Sequence, residues 1–177
     1  MMLGFLLSIT IDGSFLDWKW EHLKALDDFC DINNEFPGNN GNDWLYKVYD
    51  GYDWCRDIIA FYFTIEGDTA YFRVDVFDLY YGAEINNLDL YVAIDCDTGG
   101  QIWLPDFTDC RTDHPWELCI AIYEVNNFKI YKPDWTTLPS DSFCGVAYHS
   151  CWDAIEFGIR KGCLMSAGWD GVSPIYF

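Results

Sequence analysis

The chain has 177 residues, 29 of them acidic and 10 basic, for a formal net charge of −19, and 51% are hydrophobic. A field of that sign repels phosphate backbones and anionic membranes, which argues against nucleic acid as a partner, while the apolar content argues against a disordered chain. The length is that of one ordinary domain spanning residues 1–177, and a chain of this size buries roughly 70% of its unfolded surface.

Residues 1–7 (MMLGFLL) are too few to span a bilayer, and they lack the charged start of a complete signal peptide. They read either as an edge strand or as a signal remnant. Nothing further along is apolar for long enough to make a membrane span. Ile9-Thr10-Ile11 is expected as a short strand ending at the turn Asp12-Gly13-Ser14. Residues 18–26 are expected to hold a helical turn or two. Residues 27–53, rich in Asn, Asp, Gly and Trp, form a long acidic loop. Loops of this length are functional or clamped, here by Cys30, Cys55 or a metal.

The best-marked element follows. Residues 58–65 (IIAFYFTI) and 69–77 (TAYFRVDVF) flank Glu66-Gly67-Asp68, the pattern of a β-hairpin. Alternation assigns Ala70, Phe72, Val74 and Val76 to the core, and Tyr71, Arg73, Asp75 and Phe77 to the other face. Residues 88–95 (LDLYVAID) are a further strand, with Leu88, Leu90, Val92 and Ile94 on one face. Residues 117–124 and 128–131 flank Asn126-Asn127 as a second hairpin. Residues 143–149 and 152–159 make a third pair, with Ile155, Phe157 and Ile159 inward. Residues 160–167 are a helical candidate, and residues 172–177 read as a final strand. Short strands with little helix predict an all-β fold. The expected architecture is an antiparallel β-sandwich, jelly-roll or immunoglobulin-like, with long acidic loops.

The eight cysteines are Cys30, Cys55, Cys96, Cys110, Cys119, Cys144, Cys151 and Cys163. No two form a C-x-x-C pair, which argues against a zinc ribbon or a thioredoxin-type site. An even number of widely spaced cysteines predicts at least one disulfide in an oxidising compartment, hence an extracellular or periplasmic protein. Cys119 lies in an apolar run and reads as a small buried residue instead.

Residues 95–117 are the richest in chemistry. They open with Asp95-x-Asp97-x-Gly99-Gly100 directly after a strand. Alternate carboxylates there can converge on one hard cation, while glycines let backbone carbonyls turn toward it. Asp106, Asp109, Asp113 and Glu117 follow on an expected loop, and Asp53 and Asp57 belong to a second acidic group. Asp53, Asp57, Asp95, Asp97, Asp106, Asp109 and Asp113 are therefore the candidate calcium ligands. The competing reading is that Asp and Gly here only build turns. Trp54, Trp103, Trp116 and Trp135 sit beside turn residues or proline. They are the candidate ligand-binding residues, because sugar rings stack on indoles while carboxylates hold their hydroxyls. The competing reading is that each tryptophan plugs the end of a sandwich.

Enzyme signatures are missing. The sequence has no G-x-S-x-G elbow, phosphate-binding glycine loop, H-E-x-x-H or C-x-x-C-H. Nothing singles out a carboxylate pair for glycoside hydrolysis. A non-catalytic protein is expected.

The stretch Ile11-Asp12-Gly13-Ser14-Phe15-Leu16-Asp17-Trp18 resembles the IDGxxxDW opening of DOMON-like sandwiches. These include family 9 carbohydrate-binding modules and the C-terminal domains of glucodextranases. Residues 67–74 (GDTAYFRV), 88–95 (LDLYVAID) and 152–157 (WDAIEF) resemble the same superfamily, in the same order. The resemblance implies a secreted β-sandwich of a kind that binds sugar, calcium or both. Some relatives bind haem instead. The high cysteine content and the missing catalytic partner domain depart from that pattern.

Together these readings lead to an extracellular, non-catalytic carbohydrate-binding module stabilised by calcium, with a glycan or polysaccharide as partner. The alternative is a surface or assembly subunit that self-associates, as a homo-oligomer, through its terminal strands.

Overall fold

Period-two alternation between glycine-containing turns dictates extended chain, and strands dominate the protein. The structure, a computed structural model, describes residues 8–14, 16–27, 58–77, 89–105, 108, 110–124, 127–149 and 153–177. Among them are ten strands: β1 (Leu23–Leu26), β2 (Ile58–Glu66), β3 (Thr69–Val76), β4 (Leu90–Ile94), β5 (Gln101–Trp103), β6 (Arg111–Trp116), β7 (Leu118–Glu124), β8 (Asn127–Tyr131), β9 (Phe143–His149) and β10 (Ala154–Arg160). One short helix, α1 (Lys161–Ser166), follows β10. The strands form a five-stranded sheet of order β1-β2-β3-β10-β9, a three-stranded sheet β4-β7-β8 and a two-stranded ribbon β5-β6. The fold class is all-β, and the pairings are antiparallel. No helix among the described residues is long and apolar enough to cross a membrane.

The chain divides into two compact units, Met1–Ile85 with Gly145–Gly158, and Asn86–Cys144 with Ile159–Phe177. In the first, β2 and β3 form the expected hairpin, from Ile58↔Val76 to Glu66↔Thr69, with Gly67 at φ 57° in the turn. The expected inward set Ala70, Phe72, Val74 and Val76 is buried. Phe72 stacks on Phe157 of β10, with centroids 5.0 Å apart and the planes 3° from parallel. Arg73, expected on the outer face, is only 6% exposed. Two hydrogen bonds to the Asp75 carboxylate, at 2.5 and 3.1 Å, and the Tyr62 ring beneath its guanidinium compensate that burial. Strand β10 is buried on both faces, which places Glu156 (1% exposed) inside. Its carboxylate accepts the Gly13 N–H at 2.7 Å and the Trp18 indole N–H at 2.6 Å.

In this unit one local expectation is corrected and another is met in part. Residues 9–11 form no strand, because side chains take their backbone donors: Ile9 N–H bonds Glu66 (3.1 Å) and Thr10 N–H bonds Asp17 (2.6 Å). The helical content of residues 18–26 shrinks to a 3-10 turn at Trp20–His22, since Leu23–Leu26 is drawn into pairing with β2.

In the second unit, β7 lies between β4 and β8, and residues 118–122 are buried on both faces. Its run LCIAI has the continuous apolarity that a central strand requires. Cys119 and Ala121, with Trp116 and Tyr131, pack one side of this sheet. The stretch around Asp113, expected on a loop, forms strand β6 of the β5-β6 ribbon. Pro115 is tolerated there because a two-stranded ribbon consists of edge strands. The expected final strand is a single bridge, Tyr176 to Asp95. The Asp170 carboxylate takes the N–H groups of Val172 (2.8 Å) and Ser173 (2.6 Å). Pro174 has no N–H to give, so the chain bends instead of pairing.

The described cysteines, Cys96, Cys110, Cys119, Cys144 and Cys163, form no disulfide. The sequence-based expectation of a disulfide is therefore not met among them, and Cys30, Cys55 and Cys151 lie outside the described residues.

Candidate functional site

The second unit carries a cleft of about 410 Å³ lined by Ala93, Asp95, Arg111, Thr112, Asp113, His114, Trp116, Tyr176 and Phe177. Three sequence segments make it. Strand β4 ends at Ile94 and delivers Asp95, whose backbone exchanges both hydrogen bonds with Tyr176 at 2.9 Å. That bridge brings the C-terminal aromatics Tyr176 and Phe177 to the cleft. Strand β6 supplies the remaining polar wall.

The ribbon bearing β6 depends on a close approach. At Gly100 (φ 84°) a side chain would meet the Trp116 carbonyl oxygen at 2.5 Å and Glu117 Oε1 at 2.7 Å. Only glycine fits there. Within the ribbon Gln101 faces Trp116 and Trp103 faces Arg111, with an irregularity between them. The Thr112 hydroxyl lies 2.5 Å from the His114 carbonyl oxygen and 3.3 Å from that of Ile102, which ties the strands locally. Trp116 is 1% exposed and belongs to the packed face of the three-stranded sheet. The cleft therefore has one wall fixed to the core. The Trp116 indole N–H has no acceptor among the described residues.

Beneath the Asp95–Asp97 turn lies Glu117, also buried. Its Oε2 accepts the N–H groups of Cys96 (2.9 Å) and Asp97 (3.2 Å), and its Oε1 has no partner among the described residues. Burial pushes the Glu117 carboxyl above the usual glutamate value, and the two backbone donors pull it back. Burial, reinforced by the Glu117, Asp95 and Asp97 charges, pushes the Cys96 thiol up to about 11.

Of the candidate calcium ligands, Asp95 and Asp113 reach the cleft. Asp97 turns to α1's exit, where its carboxylate packs against Gly168. Asp53, Asp57, Asp106 and Asp109 lie outside the described residues. Among the described residues no three His, Cys, Asp or Glu side chains gather as a metal-binding group. Of the candidate tryptophans, Trp116 lines the cleft and Trp103 stands opposite Arg111, 46% exposed. Trp135, at φ 64°, belongs to the turn after Lys132 and is not part of the cleft lining. Trp54 lies outside the described residues.

Arg111, Thr112, His114, Tyr176 and Phe177 were not among the sequence candidates. The alternation in RTDHPW carried a weak strand signal, masked by its proline. The aromatics at the C-terminus gave no signal for a position beside Asp95. A cleft of this kind can hold a hydroxylated ring. Carboxylates accept hydroxyl protons, a guanidinium and an imidazole offer N–H donors, and aromatic rings supply apolar contact. No protein-family model matches the chain, and no curated protein matches it.

Proposed function

We propose that the protein is a non-catalytic, extracellular glycan-binding module whose ligand occupies the cleft lined by β6 and the C-terminal aromatics. One observation carries this reading: Asp95, Arg111, Asp113 and His114 converge with Trp116, Tyr176 and Phe177 on one cleft of about 410 Å³. That size and that mixture of acceptors, donors and rings match the demands of a sugar, every hydroxyl of which both gives and takes a hydrogen bond. The resemblance of residues 11–18 and 152–157 to DOMON-like sandwiches supports the same reading.

A structural calcium ion belongs to this reading as well. Its support is the net charge of −19, which a divalent cation offsets. At about a hundredfold excess over its dissociation constant, calcium would stabilise the fold by roughly 2.7 kcal/mol.

Affinity electrophoresis and a glycan array, each run with calcium and with chelator, test the proposal. Retention by at least one polysaccharide, lost on Asp113→Ala, is the expected result. An absence of retention across the panel with calcium present overturns it. Melting with calcium against chelator tests the metal separately.

A further inference from the structure

The chain holds 29 acidic residues against 10 basic ones, so an arginine here has carboxylates to spare. Two of the three described arginines are engaged: Arg73 binds the Asp75 carboxylate, and Arg160 donates to the Asp141 carbonyl at 2.7 Å. The Arg111 guanidinium makes no hydrogen bond or ion pair with any described residue, and the residue lines the cleft. It also stands directly across the ribbon from Trp103, a residue that is 46% exposed. Directly opposite residues of an antiparallel pair share a face. The ribbon therefore presents a planar five-donor cation beside a flat apolar ring, next to a cleft that already holds hydroxyl acceptors.

We propose that the glycan taken by this cleft is an acidic one, with a uronate carboxylate seated on Arg111 and its sugar ring against Trp103. This inference rests on the glycan-binding reading and names its ligand class. A guanidinium binds a carboxylate through two parallel N–H···O bonds, which fixes the orientation of the ring. Asp95 and Asp113 then accept from the ring hydroxyls. The overall charge of −19 does not forbid an anionic ligand. At physiological ionic strength the screening length is about 8 Å, so the carboxylates of the rest of the molecule act weakly on a bound anion. Within the cleft, the Arg111 guanidinium stands among the Asp95 and Asp113 carboxylates, and the His114 imidazole adds a further N–H donor.

The test is titration calorimetry at about 0.15 M salt with oligosaccharides of galacturonate, glucuronate and mannuronate, each paired with its own methyl ester. The ester keeps the ring and hydroxyls and removes the charge. The expected result is that one uronate binds about tenfold or more tightly than its ester, the scale of a charge-assisted pair. Arg111→Gln should bring that ratio to about one, whereas Lys132→Gln, which removes the same charge on a turn outside the cleft, should leave it standing. Esters or neutral glycans binding as well as the acids would overturn the acidic ligand and leave the glycan reading intact. Loss of the ratio in both variants would overturn the placement on Arg111. Binding of no saccharide at all would overturn the glycan reading and this inference with it.

Discussion

The carboxylate of Glu156 receives the indole N–H of Trp18 at 2.6 Å, across 138 positions of sequence. The same carboxylate takes the Gly13 N–H at 2.7 Å, so one buried acid fastens both ends of the segment from Gly13 to Trp18. Gly13 and Trp18 are thus both fixed to strand β10, far along the sequence, by one side chain. Hydrogen bonds to a charged acceptor contribute about 1.5–3 kcal/mol, and a buried acceptor left without its donor costs a comparable amount. Trp18→Phe should therefore lower unfolding stability by about 1–3 kcal/mol. The double variant with Glu156→Gln should fall short of additivity by about 0.5 kcal/mol or more. Urea unfolding of the four proteins measures this, and additive effects would mean that the two side chains do not act together.

Glu156 also makes stability depend on pH. Burial pushes its carboxyl above the ordinary 4.5, and the N–H groups of Gly13 and Trp18 pull it part of the way back. Asp75 is raised above its ordinary 3.8 by burial too, against the pull of Arg73. Groups raised in the folded state hold protons more tightly there than in the unfolded chain. Their stabilising contribution is complete below the unfolded values and is lost as pH rises through the folded ones. Self-repulsion from the net charge of −19 acts in the same direction. These carboxyls should therefore raise the melting temperature as pH falls from 7 toward 5, against the opposite effect of His22, whose imidazole burial holds below its ordinary 6.5, and Glu156→Gln should remove part of the carboxyl contribution. A pH slope identical in the wild type and in Glu156→Gln would show that Glu156 does not hold its proton more tightly in the folded state.

Alternation made much of the sheet legible in advance. Ala70, Phe72, Val74 and Val76 point inward as their spacing requires, and so do Ile155, Phe157 and Ile159. What alternation could not convey was the second covered face. Arg73 and Glu156 occupy positions that a one-sided strand leaves in water, and each is buried with charged or N–H partners. Turn chemistry explains the misread C-terminus, where Asp170 captures two backbone donors that a strand would have needed. The candidate site was half legible. Asp95, Asp113 and Trp116 were identifiable as residue types suited to binding. Arg111 and Tyr176 meet them only through the ribbon and the Asp95–Tyr176 bridge, which are long-range pairings with no local signature.

The thiols should differ sharply in reactivity. Cys110 and Cys144 are exposed, whereas Cys96, Cys119 and Cys163 are buried. Burial pushes the Cys96 thiol up to about 11 and raises that of Cys163 as well. The thiolate is the nucleophile, so at pH 8 Cys96 should alkylate on the order of a hundredfold more slowly than an unshifted exposed thiol. Iodoacetamide labelling of the native protein, read by peptide mass, should modify Cys110 and Cys144 first and the other three only on unfolding. Rapid native labelling of Cys96 would mean that the turn from Asp95 to Asp97 opens readily.

Two glycines with positive φ separate conformational cost from steric cost. Gly67 sits at φ 57° with nothing near the position of a Cβ, while Gly100 sits at φ 84° with the Trp116 carbonyl oxygen 2.5 Å from that position. Gly67→Ala should cost about 1–2 kcal/mol, the price of a left-handed L-residue alone. Gly100→Ala must in addition push β5 away from the end of β6, because the nearest obstacle is backbone and cannot rotate aside. Its cost should exceed that of Gly67→Ala by about 1–3 kcal/mol. The displacement acts on the ribbon that carries Arg111, so saccharide binding should weaken in Gly100→Ala and persist in Gly67→Ala. Equal losses of stability in the two variants, measured by urea unfolding, would mean that the ribbon yields without resistance and that Gly100 does not fix the wall of the cleft.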